Sequence, residues 1–269
     1  MTPVVESVTL PGGLRLPYVE QGEPSGVPVV LLHGVTDSWR SFEPVLPYLP
    51  PSIHAFAVTQ RGHGDADRPA TGYHARDFTA DVAAFADAVG LGRVLVVGHS
   101  MGSTHARRFA IDHPDRTLGL VLVSAFAGFR GNPAARDFWE SVVAHLTDPI
   151  DPAVAREFQE STLARPIPPA YLETVVQESL KVPARVWRAT FERFFDDDAL
   201  GDARAIRAPT MVMWGTRDAF CPRGDQDLLL AAIAGARLVV YENAGHALHW
   251  EEPQRFAADL VAFATSVAG

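Results

Sequence analysis

The sequence predicts an α/β fold: a mostly parallel central sheet flanked by helices, with a helical cap insertion. Three observations predict it. Short, continuous apolar runs recur through the first half and return near the end. Segments with helical apolar spacing separate them, and a long stretch between the two sets carries helical patterns but no strands.

In chain order, Pro28-Val29-Val30-Leu31-Leu32 is an unbroken apolar run ending at His33-Gly34, as a strand buried on both faces requires. Residues 53–58 form a second such run. Between 77 and 89, Phe78, Val82, Phe85 and Val89 fall on one face of a helix. Val94-Leu95-Val96-Val97 is a third buried strand and 118–123 a fourth. Residues 100–113 have no interior proline and end at His113-Pro114, so they are the crossover helix joining those two strands. The rhythm then breaks. Over 126–205, short helical patterns are cut by Pro133, Pro149, Pro152, Pro166, Pro168, Pro169 and Pro183 and are rich in Phe and Trp. Strands return at Thr210-Met211-Val212-Met213-Trp214 and Leu238-Val239-Val240-Tyr241. A last helix carries Phe256, Leu260 and Phe263. The expected organisation is a core of residues 1–125 and 206–269 with a helical cap of residues 126–205.

The chain has 269 residues, enough for one large α/β unit with an inserted lid. It is 47% hydrophobic and 20% charged, an ordinary globular composition that argues against disorder. A formal net charge of −9 disfavours nucleic acid as a partner. The acidic run Asp196-Asp197-Asp198 reads as a solvated turn rather than a metal cage. The single cysteine, Cys221, excludes an internal disulfide and suits a reducing compartment. Met1-Thr2-Pro3-Val4-Val5-Glu6 lacks the basic and apolar regions of a signal peptide, and no run of about 18 apolar residues occurs. The expected location is cytoplasmic, with no membrane partner.

The most informative segment is Gly98-His99-Ser100-Met101-Gly102, a G-x-S-x-G between a buried strand and a helix. A serine hydroxyl is a poor nucleophile unless it is held clear of the backbone and given a base. A sharp strand-to-helix turn does the holding, at the cost of a strained backbone at Ser100. The flanking glycines are needed because the two arms of the turn approach too closely for side chains. The helix start also aims free N–H groups at the place where an oxyanion would develop.

That segment, the preceding Val94-Leu95-Val96-Val97, and Val29-Val30-Leu31-Leu32-His33-Gly34 resemble the α/β-hydrolase superfamily in its serine-nucleophile, esterase- or lactonase-like form. So do Arg61-Gly62-His63-Gly64-Asp65-Ala66-Asp67-Arg68-Pro69, Trp214-Gly215-Thr216-Arg217-Asp218, and the stretch from Ala244-Gly245-His246 to Pro253. The likeness covers essentially the whole chain except the insertion, which matches only in position and helical character. It implies a catalytic triad of Ser100 as nucleophile, His246 as base and Asp218 as the acid that orients the base. It also implies an oxyanion hole from the backbone N–H groups of Val35 and Met101.

Of ten histidines, His246 stands on a loop at the C-terminal edge of the sheet, where Ser100 also stands. His249 reads as a packing or capping residue, and strand alternation turns His99 away from the nucleophile. Even so, His33, Gly34, His99, Phe126, Trp187 and Phe191 are the expected pocket residues. Arg61 reads as a tie between loops. Gln60 stands where many relatives carry an acid, which leaves its role open. Asp225 and Asp227 belong to the first turn of the next helix, and Cys221 has no base placed for it. The expected activity is cleavage of a small to medium, fairly apolar carboxylic ester or lactone through an acyl-enzyme. A carbon–carbon bond hydrolase, a cofactor-free perhydrolase or haloperoxidase, and a ligand receptor with a vestigial triad are the alternatives. No metal or organic cofactor is expected. The expected partner is a small-molecule substrate.

Overall fold

The computed structural model describes residues 3–129, 132–196 and 200–269. Met1 and Thr2, and Asp197 and Asp198 of the acidic run, lie outside the described residues. The sheet contains β1 (Val5–Thr9), β2 (Arg15–Gln21), β3 (Val27–Leu32), β4 (Ile53–Val58), β5 (Val94–His99), β6 (Thr117–Val123), β7 (Thr210–Gly215) and β8 (Arg237–Tyr241). Their spatial order is β1-β2-β4-β3-β5-β6-β7-β8. The β1–β2 and β2–β4 pairs are antiparallel, and the others are parallel.

The unbroken apolar runs follow from burial on both faces. Alternation sends Val29, Leu31, Leu95, Val97, Val121 and Val123 into one layer, and Val30, Leu32, Val94, Val96, Leu120 and Leu122 into the other. Helix α1 (Ala75–Ala88) and helix α2 (Met101–Asp112) cover the second layer with Phe85 and Phe109. The first layer is covered from the C-terminal end of the chain, by Phe256, Leu260 and Phe263. The two N-terminal strands were not expected from the sequence. β1 is largely exposed and Pro17 interrupts β2, so neither has the apolar run that marks the central strands.

Among the described residues no strand occurs between β6 and β7. The described residues between them form α3 (Pro133–Ser141), α4 (Pro152–Ser161), α5 (Pro169–Leu180) and α6 (Ala184–Phe194). Three of the prolines that break the sequence pattern stand in the first turn of a helix, where a missing N–H costs nothing. Asn132 and Asp151 cap their helices by accepting the N–H groups of Ala135 and Ala153 at 3.1 and 2.8 Å. The apolar faces of the inserted helices pack Phe158, Trp187, Phe191 and Phe194 in one cluster with Val35 and Phe126 from the sheet's loops and Met101 from the start of α2. The remaining helices are α7 (Arg223–Ala232), the single turn α8 (Leu248–Glu251) and α9 (Pro253–Ala268).

Because β3 lies between β4 and β5, the chain leaves β3 towards one flank and later returns along the other. This reversal opens a crevice at the C-terminal ends of the strands. The loops beginning at His33, Ser100, Ser124, Thr216 and Glu242 all leave from that edge. One loop is fastened by a mostly buried ion pair. Arg61 Nε and Nη2 donate to the two oxygens of Asp81 on α1, each at 2.5 Å, and Nη1 donates to the Gly72 carbonyl at 2.8 Å. Burial pushes the Asp81 carboxyl up and the guanidinium opposes it. Removing one partner leaves a buried charge without a counter-ion. Asp81→Ala should therefore destabilise the fold by about 3–5 kcal/mol in urea unfolding, whereas a paired Arg61→Met, Asp81→Leu variant should recover most of that loss. Equal loss in both would show that the pair's charges are not the cause.

Candidate active site

The turn after β5 has the geometry the sequence requires. Ser100 has φ 52° and ψ −116°, a conformation that strains any residue with a side chain. Its N–H donates to the Val123 carbonyl at 2.9 Å, so the sheet ladder holds one arm of the turn. The other arm is α2. A Cβ on Gly98 would stand 2.0 Å from the Gly102 carbonyl oxygen, and one on Gly102 would stand 2.2 Å from that of Leu32. No side chain fits either gap.

Asp218 follows β7 in a tight turn, its own N–H donating to Gly215 O at 3.1 Å. Its side chain is fully buried, and its Oδ1 accepts the N–H groups of Phe220 and Cys221 at 2.8 and 2.9 Å. His246 follows β8. Its Nδ1 lies 3.0 and 2.9 Å from the two oxygens of Asp218, so Nδ1 carries the proton and Nε2 is left as the basic nitrogen. The backbone at 246 is fixed as well, because its carbonyl accepts from His99 Nε2 at 3.1 Å and from Ser124 Oγ at 2.7 Å. Ser100 and His246 line the same cavity. Among the described residues no hydrogen bond joins the hydroxyl to the imidazole. Such contacts often tighten only with substrate in place.

The cavity holds about 580 Å³ of atom-free space, its mouth included, and its wall is mainly aromatic. Phe126, Phe129 and Phe220 come from the sheet's loops; Phe138, Phe158, Phe191 and Phe194 come from the inserted helices. Gly34 and Val35 lie on its wall too. The N–H groups of Val35 and Met101 donate to no protein group among the described residues. Of the expected pocket residues, Gly34, His99, Phe126 and Phe191 are lining residues. His33 is not. Its ring turns away, with Nδ1 at 2.7 Å from Gly34 O and Nε2 accepting the Gln60 N–H at 3.0 Å. Trp187 is not a lining residue either. It is fully buried behind the wall, stacked on Phe191 with ring centroids 6.4 Å apart. His99 corrects the alternation argument, because it does not point away from the site and stands against both His246 and the cavity.

The other candidates fall into structural places. Gln60 bridges His33 O at 2.9 Å and His105 Nδ1 at 2.6 Å. His249 bonds Ser41 Oγ at 3.1 Å, and burial followed by the charge of His246 lowers its pKa to about 3. Asp225 accepts the Ala127 N–H and Asp227 pairs with Arg223, both away from the imidazole. Asp218, Cys221 and His246 bring three potential metal ligands within 4.8 Å of one another. The donor set does not fit an ion. His246 Nδ1 is engaged by the carboxylate, and burial holds the Cys221 thiol protonated, with Sγ donating to Ser124 O at 3.1 Å.

The sequence reading missed Asp37. It is 3% exposed, yet it lines the cavity. Burial lifts its pKa from the ordinary 3.8 to about 7; hydrogen bonds from Gln159 and Ser41 and the charge of His246 oppose the rise, and Glu178 adds to it. The only local signal was an acid three places after the His33-Gly34 pair that follows β3.

Residues 29–259 match the model of the Alpha/beta hydrolase family. Over 97% of its length the chain is 28% identical to the non-heme chloroperoxidase of Streptomyces lividans, covering 99% of that protein. Esterase RhEst1 from Rhodococcus sp. ECU1013 superposes with a TM-score of 0.86 at 25% identity, over 98% of this chain and 99% of that one. An esterase from Exiguobacterium antarcticum has the same fold, with a TM-score of 0.86 at 23% identity over 97% of this chain and 100% of that one.

Two stability measurements test this geometry. The strain at Ser100 belongs to any residue with a Cβ, so Ser100→Gly should be more stable than Ser100→Ala by about 1–2 kcal/mol in urea unfolding. Equal stability would mean that the turn is relaxed. For Asp37, the folded chain keeps the proton up to about pH 7 and the unfolded chain only to about 3.8. A raised carboxyl pKa means that the folded state binds the extra proton between those values, so stability falls as pH rises through them. Wild type should therefore lose stability relative to Asp37→Asn between about pH 4 and pH 7. A difference that does not vary with pH would show an ordinary acid.

Proposed function

The chain belongs to the alpha/beta hydrolase family, and from that premise we propose that it is a serine hydrolase cleaving a small to medium, fairly apolar carboxylic ester or lactone. The observation that carries this reading is the buried Asp218–His246 pair, whose imidazole shares a mainly aromatic cavity with Ser100. In this mechanism Ser100 Oγ bonds to the carbonyl carbon while its proton passes to His246 Nε2. Asp218 keeps the imidazole in the tautomer that can accept it and stabilises the imidazolium. The negative charge on the carbonyl oxygen meets the N–H groups of Val35 and Met101, preset donors each worth about 3–4 kcal/mol of barrier. His246 then hands the proton to the leaving alcohol oxygen. The acyl-Ser100 ester is cleaved by water through the same steps. The inserted helices act as a cap that excludes bulk water and supplies most of the apolar wall.

A second reading is favoured by the chloroperoxidase relative. On the same acyl-enzyme, hydrogen peroxide in place of water would release a peracid, and the peracid would oxidise halide. Both readings need Ser100.

Ser100→Ala should lower kcat for p-nitrophenyl butyrate by about a millionfold, and Asp218→Asn by about ten-thousandfold. A fluorophosphonate should label Ser100 and lose that label in Ser100→Ala. Turnover retained by Ser100→Ala would end the serine reading. Peroxide-dependent bromination in acetate buffer, faster than ester hydrolysis, would favour the perhydrolase.

A further inference from the structure

The cavity contains polar groups that this mechanism does not use. His99 is 2% exposed, and its Nε2–H donates to a carbonyl oxygen, which can only accept. Nδ1 is therefore a bare acceptor, and it has no partner among the described residues. Burial, then the charges of His249 and His246, hold the ring's pKa well below the ordinary value, so the ring stays neutral. Asp37 stands close by. Its Oδ1 accepts from Gln159 Nε2 at 3.0 Å, and its Oδ2 has only the Ser41 hydroxyl at 3.3 Å. A carboxylate offers about four acceptor positions, so most of the capacity of Oδ2 is unused.

Gly34 connects the two. Its φ is not positive, so its backbone does not call for glycine. Space does. A Cβ there would stand 2.9 Å from His99 Nδ1 and 3.2 Å from Asp37 Oδ2. With no side chain at Gly34, two under-used acceptors pack up against its backbone, and Gly34, Asp37 and His99 all stand on the wall of the cavity that holds Ser100. Gly34 also precedes Val35, whose amide meets the oxyanion in the mechanism above. The two acceptors therefore lie beside the place of the scissile carbonyl.

We infer that Asp37 and His99 form a subsite for a hydrogen-bond donor, a hydroxyl or amide N–H carried close to the scissile carbonyl of the substrate. This rests on the serine-hydrolase reading and narrows its substrate class. In an aromatic cavity a buried acceptor without a partner is costly, so a substrate that supplies the donor gains and an isostere that lacks it loses. The subsite distinguishes substrates that differ only in polarity, which the aromatic wall alone does weakly.

The test is the ratio of kcat/KM within matched pairs at pH 8, above the value near 7 to which burial lifts Asp37. One pair is p-nitrophenyl 3-hydroxybutyrate against p-nitrophenyl butyrate, with the donor on the acyl side. The other is 2-hydroxyethyl butyrate against propyl butyrate, with the donor on the alcohol side. Wild type should prefer the hydroxylated member of at least one pair by about tenfold or more. Asp37→Leu and Asp37→Asn should bring that ratio towards one. The ratio does not depend on how much of a variant is folded. No preference in either pair overturns the inference whether or not the variants fold, and a preference that survives both substitutions removes Asp37 from it. If wild type cleaves none of the four esters, or Ser100→Ala cleaves them equally well, the hydrolase reading fails instead. Titration of Ser100→Ala with methyl 3-hydroxybutyrate and methyl butyrate, followed by NMR, then tests the subsite without chemistry. Equal affinities would overturn it, and tighter binding of the hydroxy ester would support it.

Discussion

The site depends on one steric constraint, the approach of three backbone segments where β3, β5 and α2 meet. Gly98, Gly102 and Leu32 are packed so that a Cβ on either glycine would lie within 2.2 Å of a carbonyl oxygen. That contact forces the chain to turn within a single residue, and the turn gives Ser100 its positive φ. The same crossing lets α2 begin at Met101, so its first free N–H lies beside the hydroxyl. A looser crossing would relax Ser100 and would carry that N–H away from it. Strain, nucleophile exposure and one half of the proposed oxyanion hole thus have a common origin.

The two carboxylates of the cavity region differ in how they are held. Asp218 is a fixed acceptor, with two amides and an imidazole donating to it. Its position cannot drift without breaking the Phe220–Cys221 turn. Asp37 receives one side-chain amide, from α4, and one long contact from Ser41. Gln159 Nε2 also donates to Ser179 Oγ at 2.7 Å, so one amide ties α4, α5 and the loop after β3 together. Electrostatics in this half of the site is therefore coupled to the packing of the inserted helices through side chains. The Asp218–His246 half meets the insertion through loop backbone, Ala247 N–H donating to Thr162 O at 3.1 Å and Asn132 Nδ2 to Phe220 O at 3.0 Å.

What the sequence made legible follows the range of the interactions involved. The central strands were readable because burial on both faces leaves a local, continuous apolar record. The turn at Ser100 was readable because close approach selects glycine at two nearby positions. Asp218 and His246 were singled out because the resemblance implies those positions and both follow strands at the same edge, and the structure brings the two side chains together. Contacts made across the fold left no such record. Asp37 becomes a buried acid only when Gln159, far along the chain on α4, closes over it. Trp187 and Phe191 share a helical face, and nothing in their spacing tells that Trp187 sits a layer deeper. His33 points away because Gln60 captures its ring.

Alternation also misled at His99, and the reason bears on how the site is built. The period-two rule assigns a face of the sheet, but His99 is the last residue of β5, where the sheet ends and the loops close over the edge. At that boundary the layer of Leu95 and Val97 is covered by the loop carrying His246, so His99 meets that loop and the cavity it shares with Ser100. The bond from His99 Nε2 to the His246 carbonyl is a consequence: the strand end holds the backbone of the imidazole, and Asp218 holds its ring. The proposed base is thereby positioned from both β5 and β7, the first being the strand that presents the proposed nucleophile. A displacement of β5 would carry Ser100 and the His246 backbone together, which preserves their relation better than any pair of independent loops could.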